Sequence, residues 1–132
     1  MNYISTRNNQ KNFSFKDVFL KGLAEDGGLF VPKSIKQFQK EELENLKNLS
    51  YNDLAAEIIY PFIGDFMSKD DLISMISKSY SNFRSDDVVK ISNLGNLKVL
   101  ELFHGPTLAF KDIAMQLIGN CLLYTSPSPR DS

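Results

Sequence analysis

Apolar residues recur along the chain at two spacings, and polar clusters punctuate them. Tyr3 to Thr6 reads as a short strand. Ser14 then offers an N-cap to FKDVFLKGLA, whose Phe15, Val18, Phe19 and Leu23 lie at helical spacing and predict a first helix. Glu25-Asp26-Gly27-Gly28 has turn chemistry, because glycine accepts a positive φ without steric cost, and Leu29 to Val31 reads as a short strand closed by Pro32. Lys40 to Asn48 has helix-forming composition, and Ser50-x-x-Asp53 and Ser68-x-x-Asp71 resemble capping boxes opening two more helices. Leu54, Ile58, Ile59 and Phe62 make one apolar stripe, and Leu72, Ile73, Ile76 and Tyr80 another, so each helix is expected to bury a face in a core.

Farther on, Val88 to Ile91 and Lys98 to Phe103 are β-like runs around Asn93-Leu94-Gly95-Asn96, which predicts a hairpin. His104-Gly105-Pro106-Thr107 breaks the second strand. Thr107 is then expected to cap a helix over LAFKDIAMQLIG, with Leu108, Phe110, Ile113, Leu117 and Ile118 apolar. Residues 1 to 120 contain no internal repeat and no low-complexity segment.

Composition narrows the function. A length of 132 residues with 42% hydrophobic and 23% charged residues suits one ordinary soluble domain. Fifteen basic residues nearly cancel sixteen acidic ones, and the lysines are scattered, so no footprint for nucleic acid or a membrane surface is present. A small-molecule or protein partner is the expectation. MNYISTRNNQKNF lacks the apolar core of a signal peptide, and AAEIIYPFIGDF is interrupted by Glu57, Pro61 and Asp65, so the protein is expected in the cytosol. One cysteine, Cys121, and one histidine, His104, exclude a disulfide framework and a structural zinc site. CLLYTSPSPRDS, residues 121 to 132, has none of the Lys, Asn or Ile that fill the rest of the chain. Its Ser/Pro composition suits a disordered terminus. It also resembles one reading frame through the end of a transposon-based sequencing adapter, so the tail is expected to be foreign and the natural chain longer.

Lys111 is the residue that stands out chemically. Following Thr107 at the expected helix start, it falls near the positive end of the macrodipole, where a cation is unfavourable. That position and its apolar neighbours Leu108, Ala109 and Phe110 favour a neutral amine, the form that condenses with an aldehyde to a Schiff base. The plainer alternative is a lysine that extends along the helix and keeps its ammonium in water. His104 suits either a phosphate contact or a structural hydrogen bond at a turn, and Asp112 either steadies Lys111 or favours the helix N-terminus as an anion. Ser5, Thr6 and Arg7 read equally as a polar strand end or as an approach to an anionic substrate.

The string LELFHGPTLAFKD resembles the segment around the pyridoxal phosphate lysine of threonine synthases, and YISTR followed by SFKDVFLKGLAEDGGLFVP resembles the N-terminal domain of that family in the same order. The resemblance spans nearly all of residues 1 to 120. It implies an α/β fold: a small α/β N-terminal domain with several helices over residues 1–90, then the first elements of a truncated cofactor-binding α/β domain over 91–120, ahead of the 121–132 tail. It implies pyridoxal 5'-phosphate as cofactor and Lys111 as both its covalent anchor and the catalytic acid and base. O-phosphohomoserine is the implied substrate, converted with water to threonine and phosphate. The Gly/Ser/Thr-rich loop that a cofactor phosphate needs does not occur in this chain, so a chain of this length is expected to be inactive. A phospholyase of the same superfamily and a non-enzymatic interaction module are the other readings.

Overall fold

The computed structural model describes residues 1–125. They form an α/β arrangement of five helices and two small antiparallel sheets, and the chain divides into two compact units. The first takes Met1–Leu49 and Asp53–Leu72, and the second takes Ser50–Asn52 and the chain from Ile73 on.

In the first unit, strands β1 (Tyr3–Ser5), β2 (Asn8–Phe13) and β3 (Phe30–Pro32) make a sheet of order β2-β1-β3. Tyr3 pairs with Pro32 and Ser5 with Phe30, so the expected strands are present within a residue of their expected ends. Strand β2 was not expected. NNQKNF carries no hydrophobic alternation, and it needs none, because five of its six residues are exposed. Helix α1 (Phe15–Lys21) begins at Ser14 as expected, whose Oγ accepts the Asp17 N–H at 3.2 Å. It stops earlier than expected, at Gly22 (φ 77°), which leaves Leu23 outside the helix and 66% exposed.

Helix α2 (Lys40–Leu46) starts at Gln39, whose N–H donates to Glu42 Oε2 at 2.8 Å. Helix α3 (Tyr51–Ile63) keeps Pro61 in its last turn. Its buried line corrects the expected stripe: Ala56 and Ile63 are buried, whereas Ile58 is exposed and Leu54, Ile59 and Phe62 are half-buried. The small Ala56, unremarkable by hydrophobicity, is the most deeply buried residue of the helix. Phe15, Phe19 and Phe66 stack around one another at centroid distances of 5.1 to 6.2 Å, and the Tyr3 hydroxyl donates to the Phe62 carbonyl at 2.6 Å.

Helix α4 (Lys69–Tyr80) opens at Ser68, whose Oγ accepts the Asp71 N–H at 3.1 Å. Its expected stripe is largely present, with Leu72, Ile76 and Tyr80 buried, and Met75 and Ser79 buried beside them. In the second unit Tyr80 packs edge-on against Tyr51 and Phe83 at 5.4 and 5.2 Å. Val88, nearly fully buried, holds φ 61°, a strained conformation for a β-branched side chain.

Strands β4 (Lys90–Leu94) and β5 (Leu97–Glu101) form the expected hairpin, but the turn is shorter than expected. Leu94 pairs with Leu97, and only Gly95 and Asn96 turn the chain. Gly95 (φ 60°) supplies the positive φ that two-residue hairpins demand, so Asn93 and Leu94 stay in the strand. Helix α5 (Asp112–Thr125) closes the described chain. Residues 126–132, most of the tail singled out above, lie outside the described residues.

Candidate active site

The segment between β5 and α5 holds His104, Thr107 and Lys111, and Asp112 opens α5. Thr107 does not cap a helix at Leu108. The chain from Gly105 to Lys111 is a succession of turns, with Leu108 at φ 66° and its N–H donating to the Gly105 carbonyl at 3.1 Å. The helix starts four residues later than expected. Lys111 therefore stands at the helix mouth: its carbonyl accepts the N–H groups of Ala114 at 3.1 Å and Met115 at 2.8 Å.

Thr107 and Asp112 are joined directly. The Thr107 N–H donates to Asp112 Oδ2 at 2.9 Å, and the Thr107 hydroxyl donates to Asp112 Oδ1 at 2.8 Å. Asp112 is 3% exposed. Its burial raises the carboxyl pKa, but the hydrogen bonds from Thr107, Gln116 and the Ala109 backbone outweigh that, and the net displacement is below the ordinary aspartate value. Gly105 is buried against the same carboxylate, where a side chain has no room. On the other side, the Tyr80 hydroxyl donates to the Ile113 carbonyl at 2.7 Å. Burial and the neighbouring Tyr51 hold the Tyr80 phenol protonated well above its usual range.

Lys111 itself is exposed, which corrects the expectation of apolar surroundings; Leu108 and Phe110 are exposed beside it. Its ammonium makes no hydrogen bond or ion pair among the described residues. The amides behind it are occupied: Asp112 N–H donates to the Ala109 carbonyl at 3.0 Å and Ile113 N–H to the Phe110 carbonyl at 3.3 Å. This end of α5 thus offers a free amine but no row of free N–H groups for a phosphate.

His104 is committed elsewhere. Its Nε2 lies 2.8 Å from Glu101 Oε1, and Ser92 Oγ donates to the other oxygen of Glu101. The Glu101 carboxylate stands between the Ser92 hydroxyl and the imidazole. His104 thus makes a side-chain hydrogen bond just past the end of β5.

Ser5, Thr6 and Arg7 meet the Asp26-Gly27-Gly28 turn. Ser5 Oγ donates to Asp26 Oδ1 at 2.7 Å, Arg7 Nη1 donates to the Asp26 carbonyl at 3.0 Å, and Thr6 Oγ1 accepts the Leu29 N–H at 3.0 Å. The Ser5 hydroxyl, the Gly28 N–H and, more weakly, the Arg7 charge hold the Asp26 carboxyl below its ordinary pKa against the opposing effect of burial. These polar groups satisfy one another and brace the strand end. Among the described residues no group of three metal-ligating side chains gathers, and no helix is long and apolar enough to cross a membrane.

Comparison with known proteins agrees with the string around Lys111. Residues 2–80 match the family model described as "Threonine synthase N terminus". The chain is 45% identical over 122 residues to threonine synthase of Schizosaccharomyces pombe, covering 91% of this chain and 24% of that protein. It is 45% identical over 123 residues to threonine synthase of Pseudomonas aeruginosa, covering 92% and 26%. Its fold superposes on the crystal structure of pyridoxal-phosphate-bound threonine synthase from Brucella melitensis with a TM-score of 0.90 at 42% identity, covering 94% of this chain and 27% of that one. The chain thus spans about a quarter of the length of the curated relatives it matches. With a matched family model over more than half its residues, the chain belongs to the threonine synthase family, over the stretch that the family's N terminus occupies.

Proposed function

We propose that Lys111 is the covalent anchor for pyridoxal phosphate, and that the whole protein converts O-phosphohomoserine and water to threonine and phosphate. The observation that carries this reading is an unengaged, exposed amine at the end of a tightly bonded turn, within LELFHGPTLAFKD. A nucleophilic lysine needs a free amine and a fixed backbone, and Lys111 has both. The residues present fit the aldehyde end of the cofactor. They do not fit its phosphate, since the first amides of α5 are bonded to the preceding turn.

When bound, the cofactor supplies an electron sink that makes protons beside the substrate's amine acidic enough to leave. The chain's own part is proton transfer. Lys111 Nζ would take the Cα proton and then a Cβ proton, so that the Cγ–O bond breaks and phosphate leaves, and it would return protons to Cγ and Cα as water adds at Cβ. The division at residues 90 and 91, the foreign origin of residues 121–132, the cytosolic setting and the inactivity of a chain of this length belong to the same proposal.

Borohydride reduction of the full-length protein with pyridoxal phosphate, followed by peptide mapping, tests the anchor. Label on the peptide containing Lys111, absent in Lys111→Ala, is the expected result, with threonine and phosphate formed in equal amounts from O-phosphohomoserine. Label elsewhere overturns the anchor, and a keto acid as product overturns the reaction in favour of a phospholyase.

A further inference from the structure

Asp112 follows Lys111 directly, yet it forms no ion pair with it. An anion placed only to complement a helix dipole can stay in water and needs no particular partner. Asp112 is instead buried, points backward along the chain, and gives each of its oxygens to a donor of Thr107, with the Gln116 side chain and the Ala109 backbone as further partners. The ring it closes encloses Leu108, Ala109, Phe110 and Lys111. Within that ring Leu108 adopts a left-handed conformation that disfavours a side chain of its kind when it stands alone. A free chain would relax out of it. Gly105 supplies the floor on which the Asp112 carboxylate rests.

We infer that Asp112, Thr107 and Gly105 form a clasp that positions Lys111 for its covalent partner, with Asp112 as the positioning residue and no proton-transfer role of its own. The inference rests on the assignment of Lys111 as the cofactor anchor. The clasp fixes where the Lys111 backbone leaves the turn, while its hydrogen bonds leave the lysine amine unengaged. Loss of the charge-assisted bonds would let the turn sample other conformations and dilute the productive one.

The test uses the full-length protein loaded with pyridoxal phosphate. Asp112→Asn places an amide where two donors of Thr107 need acceptors. At a temperature where circular dichroism shows the variant folded, its cofactor affinity should fall by about tenfold. The pH dependence of its visible absorbance band should also shift, and amide exchange at Thr107, slow in the unsubstituted protein, should become fast. Thr107→Val removes one donor and should fall between the two, whereas Thr107→Ser keeps both and should restore the unsubstituted value. If Asp112→Asn does not fold, the Thr107 pair carries the same comparison. A folded Asp112→Asn that frees the Thr107 amide but binds the cofactor at Lys111 with unchanged affinity and band overturns the inference alone. Absence of label at Lys111 in the unsubstituted protein overturns the anchor and the inference together.

Discussion

A Cβ built on Gly105 would lie 2.4 Å from Asp112 Oδ2 and equally close to Asp112 Cβ, well inside any real contact. Gly105 is therefore required by the space its neighbour fills, and the backbone of one residue fits against the carboxylate of another seven positions on. Gly105→Ala must displace Asp112 and break its bonds to Thr107. Overpacking of this kind costs about 1–3 kcal/mol. Thermal unfolding should show a lower midpoint, and Thr107 should lose its amide protection even where the rest of the chain keeps its own.

Acid should attack the same clasp. Asp112 has a folded pKa below its ordinary value, so its contribution to stability is present above the unfolded value, about 3.9, and is lost as pH falls through the folded one. Asp26, held down by Ser5 and Gly28, and Glu42, held down mainly by the Gln39 N–H, act in the same direction. Denaturant midpoints measured from pH 6 downward should decline below about pH 4, and the decline should be shallower in Asp112→Asn. An equal slope in both proteins would count against the assigned shift.

Two glycines should answer oppositely to the same change. A Cβ on Gly28 would stand 2.3 Å from Ser5 Oγ, whereas one on Gly119, inside α5, meets nothing within 4 Å. Gly28→Ala should destabilise by about 1–3 kcal/mol through crowding of the buried serine. Gly119→Ala should stabilise by roughly 0.5–1 kcal/mol, because alanine loses less backbone freedom in a helix. Urea unfolding of both variants provides the comparison.

The caps and the core can be ranked in the same way. Ser14→Ala and Ser68→Ala each remove an acceptor from a helix start and should cost about 1 kcal/mol. Ile76 is fully buried, and Ile76→Ala should cost about 2–5 kcal/mol. A larger loss for either serine than for Ile76 would contradict this ordering.

What could be foreseen from the residues depended on how local the deciding force was. Ser14 and Ser68 cap their helices because the bond closes within three residues, so sequence alone identifies them. Thr107 looked the same but was drawn forward to Asp112, five residues away, and that longer bond leaves no helix between them. The actual start, Lys111, carries no capping side chain and gives no signal of its own. Strand β2 escapes a hydrophobic pattern because its pairing with Tyr3 and Ser5 is made by backbone, and all its side chains except Phe13 are exposed. On α3 the small Ala56 is buried and the bulkier Ile58 exposed, an outcome that hydrophobic spacing alone does not encode. The chemistry of Lys111 was legible through the string that contains it, while its exposure and its lack of partners required coordinates.

The three-stranded sheet of the first unit has two outer margins, and neither invites another chain. Along one, Asn8 to Phe13 presents asparagines, a glutamine and Lys11; along the other, Pro32 withholds an amide donor. Intermolecular strand addition needs a flat, apolar margin with regular donors. This sheet should therefore resist fibril growth at concentrations where an unguarded three-stranded sheet would begin to template its own copies.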